Sequence, residues 1–81
     1  MKIRVMDYTH SPVCVGVYTS VGDLRRKITE YLKEKIRASG ECELRAEEWD
    51  DRHSCWISFS PATKRVQILI DDIREQVIMH E

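Results

Sequence analysis

The sequence predicts an α+β domain in which two helices pack on one face of a small mixed sheet. Three observations carry that expectation. Apolar residues recur at helical spacing from Val21 to Ala38 and again from Ser60 to His80. Before and between those stretches they alternate with polar residues at period two, as in half-buried strands. With 81 residues there is room for one core, because a chain this short buries about 60% of its unfolded surface. The element order is βαββα, or ββαββα if Val13–Tyr18 also pairs as a strand, and residues 1–81 form a single domain.

Each element has its own signal. From Lys2 to Tyr8, Ile3 and Val5 alternate with Lys2 and Arg4. Thr9, His10, Ser11 and Pro12 are turn formers, after which Val13, Val15 and Val17 alternate with Cys14, Gly16 and Tyr18. The β-branched run favours a strand, although Gly16 weakens it. Ser20 and Asp23 stand three apart in a capping-box-like start, and Val21, Leu24, Ile28, Tyr31, Leu32 and Ile36 trace one apolar face. Gly40 is placed to stop this helix in a left-handed conformation. Its other face carries Arg26, Lys27, Glu30, Lys33, Glu34 and Arg37, a solvated surface whose opposite charges contribute roughly 0.2–0.5 kcal/mol per pair.

Between Glu41 and Trp49, Cys42, Leu44 and Ala46 alternate with Glu43, Arg45 and Glu47. Asp50 to Ser54 reads as a polar connection, and Cys55, Ile57 and Phe59 alternate with Trp56 and Ser58 in a last strand. Ser60 and Pro61 then make an N-cap and first-turn pair, since serine accepts a free backbone N–H and proline needs no donor there. Ala62, Val66, Leu69, Ile70, Ile73 and Val77 form the inner face of the final helix.

Composition narrows the function classes. Apolar residues make up 42% and charged residues 33%, a globular balance that argues against disorder. The net charge of −1 conceals two halves: residues 1–40 carry eight Lys/Arg and four Asp/Glu, residues 41–81 five and ten. An acidic second half suits a basic protein surface better than nucleic acid, so no direct nucleic-acid binding is expected. Cys14, Cys42 and Cys55 cannot all pair with one another and no signal-peptide pattern precedes the first strand, which points to a reduced, cytoplasmic protein. The longest apolar run is far short of the roughly 20 residues that span a bilayer.

Catalytic and metal-binding patterns are thin. His53 and Cys55, with Cys42 across a hairpin, offer the closest approach to a zinc set, without a Cys-x-x-Cys pair. The same residues could form a Cys–His nucleophile pair, but strand neighbours point to opposite faces and no orienting third group stands nearby. Gly16, Gly22 and Gly40 are scattered, so no phosphate loop is present. Trp49 and Trp56 sit beside acids along the chain rather than cations, which suits packing or protein contact better than base stacking. No catalytic residue, metal or cofactor is therefore expected.

Recognition is the stronger lead. On a 3.6-residue helix Ile68, Asp71, Asp72, Glu75 and Met79 project opposite the core face, placing three carboxylates around an apolar pair. A second acidic segment, Glu47, Glu48, Asp50 and Asp51, competes with it as a partner-binding surface.

The order of several short motifs resembles the DinI-like family of small modulators of the RecA recombinase filament, found in bacteria and phages. Met1, Lys2, Ile3 and Val5 resemble its first strand, and Ser11-Pro12 with Gly16 its following turn. Gly22-Asp23-Leu24 with Arg26, Lys27 and Ile28 is similar to its Gly-Glu-Leu-x-Arg-Arg-Ile helix start. Leu44-Arg45 resembles its second strand, and Ala62-Thr63-Lys64 with Ile70 and Ile73 its last helix. The chain departs from the family in lacking the Phe-Pro after the first helix, in carrying Val77 or Ile78 in place of the late tryptophan, and in an acidic tail reduced to Glu81. The resemblance implies a βαββα fold and an acidic last helix that engages a RecA filament through Asp71, Asp72 and Glu75. A ββαββα order also looks like a ubiquitin-like β-grasp pairing domain, in which Glu47, Glu48, Asp50 and Asp51 would meet a basic strand of a partner.

Overall fold

Period-two alternation produces four strands, and the β-branched run after Pro12 is one of them. In a computed structural model, which describes residues 2–80, Ile3–Asp7 forms β1 and Val13–Tyr18 forms β2. Met1 and Glu81, which enter the family resemblance, lie outside the described residues. Helix α1 spans Val21–Ser39, β3 Leu44–Asp50, β4 Cys55–Ile57 and α2 Pro61–Met79. The order is thus ββαββα.

The sheet runs β2-β1-β3-β4 and every neighbouring pair is antiparallel, where the sequence predicts a mixed sheet. The reason is topological. Crossover through α1 does make β2 and β3 run the same way, but β1 occupies the position between them and opposes both.

Gly16 proves to be a space-maker. A Cβ there would collide with the Tyr18 hydroxyl, so the tyrosine ring covers the glycine and fills the gap its missing side chain leaves. Beside it the β1–β2 register shifts between Val5 and Met6, and the bulge accommodates Val15, which packs against the core.

The helix ends follow their local chemistry. Ser20 Oγ accepts the Asp23 N–H at 3.3 Å, and Ser60 Oγ accepts the Thr63 N–H at 3.1 Å. Gly40 adopts φ +81° and donates its N–H to the Ile36 carbonyl, as a left-handed cap requires. Leu24, Ile28, Leu32 and Ile36 of α1 meet Val66, Ile70, Ile73 and Val77 of α2 over Ile3, Val5, Leu44 and Ala46 of the sheet. Val21 departs from its predicted core role. It lies in the first turn, ahead of the first buried layer at Leu24, and is 50% exposed.

One strand is shorter than its pattern suggests. Phe59 alternates correctly with Cys55 and Ile57, yet β4 stops at Ile57 and Phe59 is 72% exposed. The chain must turn at Ser60-Pro61 to begin α2, which leaves β3 without a neighbour beyond the Glu48–Ile57 pair. Glu43 and Trp49 direct their backbone groups at β1, so Leu44 and Ala46, of opposite parity, direct theirs into that gap. Gln67 of α2 fills it. Its Oε1 accepts the Ala46 N–H at 2.9 Å and its Nε2 donates to the Leu44 carbonyl at 3.0 Å, so a side-chain amide stands in for the missing residue of β4.

Candidate functional site

Burial of Val66, Ile70, Ile73 and Val77 fixes the rotation of α2 and turns its opposite face outward. Ile68 is 63% and Met79 73% exposed, with Asp71, Asp72 and Glu75 exposed between them. Ile78, which the helical projection assigns to neither face, adds a half-exposed apolar side chain at the same end. Among the described residues none of the three carboxylates joins an ion pair. Exposed apolar side chains alternating with acids along one helix face would complement an apolar surface rimmed with cations.

The three acids are not equivalent. Asp71 Oδ1 accepts from Gln67 Nε2 at 3.2 Å, on the amide that closes the edge of β3. Asp71 therefore steadies the fold as well as contributing charge, whereas Asp72 and Glu75 make no side-chain hydrogen bond among the described residues.

The competing acidic segment is dispersed by folding. Glu47 lies on the open face of the sheet, where its carboxylate takes Arg4 Nε at 2.6 Å and the Tyr8 hydroxyl at 3.1 Å. Asp50 accepts the Arg52 N–H at 3.0 Å and lies 2.7 Å from His53 Nδ1, a contact that holds its carboxyl below the ordinary value. Asp51 accepts the Trp49 indole N–H at 2.7 Å. Glu48, partly buried, pairs in register with Ile57. Strand parity puts Glu47 on the open face and Glu48 and Asp50 at the opposite parity, with Asp51 in the turn beyond β3.

The thiols and histidine do not converge. His53 faces Asp50, Cys14 and Cys55 are exposed, and Cys42 is buried beside Asp7. Burial and the Asp7 carboxylate push the Cys42 thiol up to about 11, so it stays protonated at neutral pH and is a poor nucleophile. No group of three metal-ligating side chains occurs among the described residues.

Asp7 itself is a buried carboxylate that the sequence does not single out. Burial pushes it up, but hydrogen bonds from the Thr9 and Tyr31 hydroxyls and the Thr9 N–H, with the charge of Lys35, outweigh that and hold it below its ordinary value. Burial and the bond to Asp7 raise Tyr31 far above the usual phenol value. This cluster ties β1 to α1 and leaves no buried side-chain polar atom unpartnered among the described residues. Its role is structural.

No described helix is long and apolar enough to cross a membrane. In comparisons with known proteins, no family model, curated protein or solved structure matches the chain.

Proposed function

We propose that the chain is a small non-enzymatic regulator that binds a protein partner through the outer face of α2. One observation carries this reading: Ile68 and Met79 are largely exposed around Asp71, Asp72 and Glu75, on a helix whose other face is committed to the core. The partner surface it suits is an apolar groove bordered by lysines or arginines. A RecA-type filament in the bacterial DNA-damage response is the specific partner that the family resemblance suggests, and a regulator of this kind would act in the cytoplasm.

The experiment spares Asp71, whose hydrogen bond to Gln67 would confuse loss of binding with loss of fold. A double charge reversal, Asp72→Lys with Glu75→Lys, should fold as the parent does and lose its effect on RecA filament lifetime and coprotease activity. An unchanged effect would overturn the assignment. The reading that uses Glu47, Glu48, Asp50 and Asp51 gains no support from the fold, because three of those side chains have partners within the chain.

A further inference from the structure

The helices cover one face of the sheet and leave the other open. Arg4 stands opposite Glu47 in register and Trp49 opposite Trp56, at the parity contrary to buried Ile3, Val5 and Ala46, so these four side chains share the open face. The two indoles are half-buried, with centroids 5.3 Å apart and planes inclined at 67°. The Arg4 guanidinium carbon lies 4.6 Å from the Trp56 centroid. Lys2 Nζ sits 5.7 Å from the Trp49 centroid and 5.9 Å from that of Trp56.

Charge on this face is largely matched. Glu47 is held by Arg4 and Tyr8, Arg45 bridges Glu43 at 3.3 Å, and Asp51 fixes the Trp49 ring through its indole N–H. Among the described residues Lys2 joins no ion pair. It is thus an available cation beside two oriented π surfaces.

We infer that the open face is a stacking platform for single-stranded nucleic acid, in which Trp49, Trp56 and the plane of Arg4 take bases and Lys2 meets an adjacent phosphate. Rings interleaved with cations are the chemistry of sequence-tolerant single-strand binding, because every base offers a π face and every linkage a negative charge. The sequence argues the other way, since Trp49 is flanked along the chain by Glu48 and Asp50 and neither tryptophan has a cation as its chain neighbour. Pairing of β1 with β3 brings the cations from the far end of the chain. With one unmatched cation on this face among the described residues the electrostatic part is small: log affinity should fall against log salt with a slope of about −0.7, the value for a single phosphate contact on a single strand.

The chain holds two tryptophans, both on this face, so indole emission excited apart from the three tyrosines reports this surface alone. Titration with a short oligo(dT) at about 50 mM salt should quench the indole emission saturably, and Lys2→Ala should weaken binding about eight-fold, the factor a slope of about −0.7 implies relative to 1 M salt. Lys2 is exposed and joins no ion pair among the described residues, so that variant should keep the parent circular dichroism spectrum. Asp72→Lys with Glu75→Lys should titrate like the parent, which separates this surface from the one on α2. Absence of quenching, quenching indifferent to Lys2→Ala, or quenching by an uncharged proline-rich peptide but not by oligo(dT) would overturn the inference.

Discussion

Replacing Gln67 by Met tests whether a side-chain amide truly substitutes for the missing part of β4. Methionine keeps the length and apolar stem but removes the acceptor for the Ala46 N–H and the donor to the Leu44 carbonyl. Two partly buried hydrogen bonds at about 1 kcal/mol each give a loss of about 2 kcal/mol. For a domain of this size that lowers Tm by roughly 8–16 °C, readable by circular dichroism. Amide exchange should show where the loss falls: the Ala46 N–H exchanges faster while the Val5 and Ile28 amides change only with global stability. Gln67→Glu adds a pH signature. At neutral pH it presents an oxygen to the Leu44 carbonyl and to Asp71, and the variant should regain stability on acidification as its carboxyl acquires a proton to donate. A Tm for Gln67→Met within about 2 °C of the parent would refute the reasoning, because it would mean that water serves Leu44 and Ala46 as well as the amide does.

Four further outcomes follow from the fold. Asp7 has a folded pKa below its unfolded value near 3.8, so the stability it contributes is complete above that value and is lost as pH falls through the lower folded pKa. Asp7→Asn should flatten the acid limb of a Tm-against-pH curve. Tyr31 is raised from its ordinary 10.0, so its contribution is complete below pH 10.0 and is lost as the solution becomes more alkaline; Tyr31→Phe should flatten that limb. A thiol reagent at neutral pH should modify Cys14 and Cys55 quickly and Cys42 only at the rate of unfolding, since that thiol is both buried and protonated. Gly40→Ala should cost about 1 kcal/mol in urea titration, because its φ of +81° puts a Cβ in a strained position although the space around it is open.

What could be read in advance is what depends on spacing along the chain. Leu24, Ile28, Leu32 and Ile36 repeat at the helical period, and Ser20, Gly40, Ser60 and Pro61 punctuate the helices through contacts three or four residues long. The outward rotation of Ile68, Asp72, Glu75 and Met79 follows from the same periodicity, once Val66, Ile70 and Ile73 are taken as core. What could not be read depends on pairings between distant residues. Nothing near Lys2 or Arg4 announces that β1 will lie beside Trp49 rather than at a sheet edge. Gln67 looks like one more polar helix residue until the end of β4 leaves Leu44 and Ala46 unpaired. Thr63 is another such case: its hydroxyl donates to the Ser60 carbonyl at 2.8 Å, which lets a polar residue sit fully inside the core. Asp7, likewise, counts as one more surface charge in the composition and is in fact buried, because Thr9, Tyr31 and Lys35 converge on it.

The central claim is that α2 spends its inner face on the core and its outer face on a partner. Its most direct test is the lifetime of RecA filaments on single-stranded DNA, measured with the parent chain and with the Asp72→Lys, Glu75→Lys variant after both are shown to have the same Tm. The account predicts a changed lifetime with the parent and a lifetime equal to that of RecA alone with the variant. A variant as effective as the parent, or a parent without effect on the filament, would contradict it.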